Sequence, residues 1–133
     1  MVHSYSRRSQ LVRLLRSSLV VGALFDLLWG ASLFTEVLGP ASLGSLAGRT
    51  DAFYRAAAAV LWVTLALVTL WAAYDTTRYD QVVLANGAAR AAFGSLVAVG
   101  LLAAARGPAS AMPAVAYGAL GLVQLVLRGT VRH

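Results

Sequence analysis

The chain has 133 residues, 59% hydrophobic and 12% charged, with eleven arginines, no lysine and five acidic residues for a formal charge of +6. The charged share is about half that of an ordinary soluble domain. With a mean hydropathy of +0.73, one short domain has more apolar surface than a small core absorbs, and a membrane is the expected solvent. Cysteine is absent, which excludes disulfides, thiol nucleophiles and cysteine metal sites.

Arg7, Arg8, Arg13 and Arg16 precede the first apolar run. A basic cluster in that place more often anchors a helix end to anionic lipid than it binds nucleic acid. No basic–aromatic platform argues for a nucleic-acid partner. The apolar run 19–38 is too long for the h-region of a signal peptide, and Asp26 interrupts it; it reads as a retained transmembrane helix.

Four helices are expected, at about 14–38, 52–74, 81–105 and 111–127, each near the ~20 residues that cross a bilayer core. Gly39-Pro40 ends the first. Thr50 or Asp51 caps the second, and Asp80 or Thr77 the third, since short polar side chains satisfy the free N–H groups of a helix start. Gly107-Pro108 separates the third from the fourth, and Pro113 falls in the fourth helix's first turn. The segment 39–51 has Leu43 and Leu46 at helical spacing and is expected along the membrane surface.

The fold class expected is therefore all-α: an integral membrane, antiparallel four-helix transmembrane bundle. Residues 1–13 form a basic flank, 14–128 the transmembrane domain and 129–133 a tail. The N-terminal flank, Arg78 in the turn 75–80, and Arg128 with Arg132 outweigh Arg49, Arg55 and Arg106 on the other side. The positive-inside bias puts both termini in the cytoplasm and the protein in the inner membrane.

Two ionisable residues lie well inside apolar runs, where a charge is costly and usually has a partner or a task. Asp26 shares a stripe with Leu19, Gly22, Gly30 and Leu33, and glycines on either side of it admit a close helix neighbour. Arg90 flanks a small-residue face of Gly87, Ala91, Gly94 and Ala98. At 1.5 Å per residue, Asp26 stands roughly 18 Å and Arg90 roughly 14 Å from their cytoplasmic helix starts. Two partners at matching depth are expected to pair. The alternatives are that the pair only fixes helix register, or that Arg90 snorkels to the headgroups.

Glu36 and Arg55 suggest a second pair near the outer surface, worth little because water is close. Arg55 shares an inward stripe with Ala59, Trp62, Ala66, Thr69 and Ala73. Asn86 and Gln124 lie at shallow depth, where amides hydrogen-bond between helices; with Arg90 they could instead line a pocket for an anionic headgroup. Trp71, Tyr74, Tyr79 and Tyr54 fit an aromatic belt. His3 and His133 are terminal, and no HExxH, phosphate-binding glycine loop or activated serine is seen. No metal or cofactor is implied.

Asp26-Leu27-Leu28-Trp29-Gly30, ending in Gly39-Pro40, together with the run from Trp71 through Asp75 to Tyr79, resembles the DoxX-like and BphX-like small membrane proteins in layout. The resemblance implies a four-helix membrane fold and no settled biochemical role. The leading functional expectation is a non-catalytic membrane protein that binds a lipid-like or small apolar ligand, or serves as an accessory subunit of a membrane complex. Its partners are membrane lipids, with a homodimer or another membrane protein as further options. A small, dimeric proton-coupled transporter or channel using Asp26 is the second reading, and an intramembrane enzyme the third.

Overall fold

The structure, a computed structural model, describes residues 2–38, 50–104 and 108–132, with the side chains of 7–33, 54–104, 108–109 and 111–132. Among the described residues four helices follow one another: α1 (Val2–Leu38), α2 (Thr50–Tyr74), α3 (Asp80–Ala103) and α4 (Pro108–Arg132). The expectations for Glu36, Arg49, Arg106, the surface segment 39–51, the side-chain caps at Thr50 and Asp51, and the helix end at Ala105 fall outside these described residues or side chains.

All four helices begin earlier than the apolar pattern placed them, at Val2, Thr50, Asp80 and Pro108 where 14, 52, 81 and 111 are expected. The arginine-rich flank is helical from Val2 onward, because Ser and Arg do not oppose a helix that the apolar run behind them propagates. α1 is helical through Leu38, and the expected stop at Gly39-Pro40 lies outside the described residues. α4 begins at Pro108, where a missing N–H leaves no helical bond unmade. Pro113 therefore stands beyond the first turn.

The α2–α3 connection corrects the expected cap. The residue before α3 is Tyr79, and no side chain caps it. Asp75 instead organises the turn: its Oδ1 accepts from the backbone N–H of Thr77 at 3.2 Å and of Arg78 at 3.0 Å, and its carbonyl accepts from Tyr79 N at 3.1 Å. This is the local side-chain competition with the backbone that makes Asp a turn former. Asp80 is thereby left for another contact. Its carboxylate accepts from Arg128 Nε at 2.7 Å and Nη2 at 2.6 Å, and from Arg132 Nη2 at 2.7 Å.

α1 packs chiefly on α2 and α3 chiefly on α4, while α1 meets α4 and α2 meets α3 more sparingly. Glycines set the closest approaches. At Gly94 an added Cβ would lie 2.5 Å from Gly118 N and 2.6 Å from Ala114 O, and at Gly121 it would lie 2.6 Å from both Ala91 N and Gly87 O. No side chain fits there, so the α3 and α4 backbones touch along this seam. Leu15, Leu19, Ala72, Ala73 and Val83 form a buried apolar cluster at the end of the molecule that carries the α2–α3 turn.

Many large apolar side chains face outward. Leu28, Leu61, Leu96 and Val126 are each at least 66% exposed, an arrangement that water penalises and lipid does not. Exposed hydroxyls are satisfied within their own helices: Ser32 donates to Trp29 O, Thr64 to Val60 O and Ser95 to Ala91 O, at 2.7 to 2.8 Å. Among the described residues three helices are long and apolar enough to cross a membrane, over Tyr54–Tyr74, Asp80–Ala103 and Ala111–Arg132.

Candidate functional site

Asp26 and Arg90 meet. Arg90 Nη2 donates to Asp26 Oδ2, and neither side chain is exposed. The meeting depends on Gly22, one turn before Asp26 on α1. A Cβ there would fall 2.5 Å from Arg90 Cζ, so with any other residue the guanidinium would have to shift from its place against the α1 backbone. On its own helix Arg90 Nε donates to Asn86 Oδ1 at 3.2 Å, an i, i+4 contact that fixes how the side chain leaves α3.

A third residue completes the cluster. Tyr117 of α4 donates its hydroxyl proton to Asp26 Oδ1 at 2.8 Å, and Arg90 Cζ stands 5.1 Å from the centre of its ring. Both carboxylate oxygens are thus held, and the guanidinium gains a cation–π contact besides its ion pair. The three residues come from α1, α3 and α4, so the cluster ties those helices at one level. Buried polar groups of this kind are tolerated where each finds partners.

Not all partners are found. Gln124 Nε2 donates to Ser18 O on α1 at 3.0 Å. Its Oε1, together with Asn86 Nδ2 and Arg90 Nη1, is buried without a hydrogen bond. Asn86, Arg90 and Gln124 are each at most 4% exposed.

Tyr117 also belongs to a second feature. On the other side of its ring lies an apolar cavity of about 170 Å³, lined from all four helices by Phe25, Trp29, Trp62, Phe93, Val97, Leu101, Pro113, Ala114 and Tyr117. Tyr117 is its hub. Ring centres of Trp62, Phe25 and Phe93 stand 5.5, 6.1 and 6.1 Å from that of Tyr117, and Trp62 meets Phe93 edge-on at 5.4 Å. Tilted and edge-to-face contacts at these separations are the favoured aromatic geometries. Such a box presents apolar faces to a guest and one polar floor, the phenol held by Asp26. Its side chains are suited to a neutral apolar molecule and not to a metal. Among the described residues no group of three His, Cys, Asp or Glu side chains is placed to hold one.

The expected site residues divide accordingly. Asp26, Arg90 and Asn86 are brought into one bonded cluster. Asn86 serves Arg90 from within α3 where an inter-helix bond is expected, whereas Gln124 does bridge two helices. Ala59, Ala66, Thr69 and Ala73 are buried on α2, but Arg55 on the same stripe is exposed. Trp71, Tyr74 and Tyr54 are exposed, while Tyr79 is half-buried. Tyr117 escapes the sequence reading. Its signal is a tyrosine in mid-helix, far from either boundary, on one stripe with Gly121 and Gln124. Comparison of the chain with family models, curated proteins and solved structures finds no match.

Proposed function

We propose that this chain is a non-catalytic, multi-pass protein of the inner membrane that holds a small apolar or lipid-like molecule in the aromatic cavity. In this reading α1 also crosses the bilayer, the helices alternate in direction, and both termini lie in the cytoplasm. The observation that carries it is the cavity of about 170 Å³ lined by Phe25, Trp29, Trp62, Phe93 and Tyr117. The cavity is half-open, with Phe25, Trp29 and Phe93 at 40, 51 and 46% exposure, so an apolar guest can enter from the lipid side and cover aromatic surface that the bundle itself leaves bare. The Asp26–Arg90–Tyr117 cluster then serves as an intramembrane lock that sets the register of the cavity walls. An accessory subunit of a membrane complex that presents such a molecule is the same chemistry in another setting.

Native mass spectrometry of protein extracted gently from its own membranes tests this. A reproducible small adduct that disappears in Ala114→Phe, which fills the cavity, supports the reading. Bare protein, or an adduct indifferent to Ala114→Phe, sinks it.

One observation favours a second reading, proton-coupled transport through Asp26. Asn86 Nδ2, Arg90 Nη1 and Gln124 Oε1 are buried without partners, and in the proposed topology Asn86 and Gln124 stand on the cytoplasmic side of Asp26. Such a polar file could admit water. It ranks second because both oxygens of Asp26 are already bonded. Proton flux through reconstituted vesicles, abolished by Asp26→Asn with the fold intact, would reverse the order.

A further inference from the structure

At the end of the molecule that carries the α2–α3 turn, seven of the eleven arginines gather: Arg7, Arg8, Arg13, Arg16, Arg78, Arg128 and Arg132. Only two described acidic residues lie there. Asp75 is engaged by the turn backbone, and Asp80 is taken by Arg128 and Arg132. Arg78 lies over the Tyr79 ring at 5.6 Å. Between α1, the turn and the end of α4 runs a groove of about 470 Å³, lined by Arg8, Ser9, Val12, Arg13, Arg16, Thr77 and Val131. Among the described residues none of its three arginines is ion-paired, so the groove is a concave, uncompensated cationic surface.

We propose that this groove binds the headgroup of an anionic phospholipid that presents two phosphates. Three features of the groove argue for that occupant. The first is charge: a guanidinium grips a phosphate bidentately, and three of them exceed the need of one phosphate. The second is length. Arg8 and Arg16 are eight residues apart on one helix, roughly 12 Å along its axis, and Arg13 and Arg16 form an adjacent i, i+3 pair. The third is the apolar share. Val12 and Val131 line the groove, and beyond it Val20 of α1 and Val126 of α4 are 39% and 66% exposed. A headgroup seated on the arginines can therefore run its chains down the apolar flank, which a free phosphate cannot use. The proposal rests on the membrane reading but not on the aromatic cavity.

The test uses the full chain, delipidated in a neutral detergent and titrated with diphosphatidylglycerol or phosphatidylglycerol at equal total charge. Bound lipid is counted by native mass spectrometry. Diphosphatidylglycerol is expected to bind at one per chain. Arg13→Gln with Arg16→Gln is expected to weaken it about tenfold or more. Arg13→Lys with Arg16→Lys keeps the charge and loses the bidentate geometry, and weakens it less than the glutamine pair but measurably. The lysine pair preserves the helix and its charge, so it remains informative if the glutamine variant fails to fold. Equal retention of the two lipids, displacement by millimolar pyrophosphate, full binding by the glutamine pair, or no binding at all would overturn the proposal. Membrane insertion is read separately by resistance to alkaline extraction, so failure of the headgroup site and failure of the membrane reading give different results.

Discussion

Arg90 and Asp26 stand 64 positions apart in sequence, yet Nη2 of the one donates to Oδ2 of the other with both side chains sealed off. Breaking one side of a buried pair leaves the other charge uncompensated, which costs about 3–5 kcal/mol, whereas replacing both by apolar groups of similar volume is often neutral. Asp26→Asn and Arg90→Met are therefore each expected to destabilise the fold strongly, and Asp26→Leu with Arg90→Met to recover most of the loss. Thermal unfolding in detergent of the two single variants and the double checks this. Additive losses would show that the pair is not a unit.

Tyr117 separates the lock from the cavity. Tyr117→Phe keeps the ring and its aromatic neighbours but removes the hydrogen bond to Asp26 Oδ1, and bonds to charged groups contribute about 1.5–3 kcal/mol. The expected outcome is a loss of stability in that range with the adduct of the cavity still present. Trp62→Ala is expected to do the reverse to binding, removing the adduct because the box loses a wall. The pair of variants, each measured for unfolding and for adduct, distinguishes a polar lock from an apolar container.

The seam between α3 and α4 gives an asymmetric expectation. A methyl group at Gly94 meets backbone at 2.5 and 2.6 Å, while at Gly118, directly opposite, the nearest atoms are at 3.5 Å. Backbone cannot yield as a side chain does, so Gly94→Ala is expected to destabilise by about 1–3 kcal/mol as overpacking. Gly118→Ala sits in ordinary contact and is expected to be close to neutral. Matched unfolding curves for the two variants decide it; equal losses would mean that the seam is not the tight contact described here.

How much of this can be read in advance follows from what each feature depends on. The four described helices depend on local pattern, apolar runs of membrane length. The meeting of Asp26 with Arg90 depends on depth along two helices, which residue counting supplies, and on Gly22, which stands at helical spacing from Asp26. The cavity depends on how α4 is rotated, and no local pattern fixes that. A lone tyrosine in an apolar run looks like a belt residue until its hydroxyl is seen to donate to Asp26 Oδ1, on the same face of α4 as Gly121, where an added Cβ would fall 2.8 Å from Arg90 Cβ. The cap at α3 misleads for a similar reason. Asp75 and Asp80 are equally good turn or cap residues by type, and only the presence of Arg128 and Arg132 across the end of α4 assigns Asp80 elsewhere.

That assignment yields the last expectation. Asp80 holds two arginines in different surroundings: Arg128 is 12% exposed at its side chain and makes a bidentate contact, while Arg132 is 54% exposed with one contact. An exposed pair contributes between about 0 and 1 kcal/mol and is screened by salt, whereas a bidentate, partly buried one retains more of its strength. Arg128→Gln is thus expected to lower the melting temperature and to do so at both low and high ionic strength, because the start of α3 loses its tie to the end of α4. Arg132→Gln is expected to have a small effect that vanishes in molar salt. If the two variants behave alike at every salt concentration, the geometry at Asp80 does not distinguish them, and the end of α4 is held by its apolar face alone.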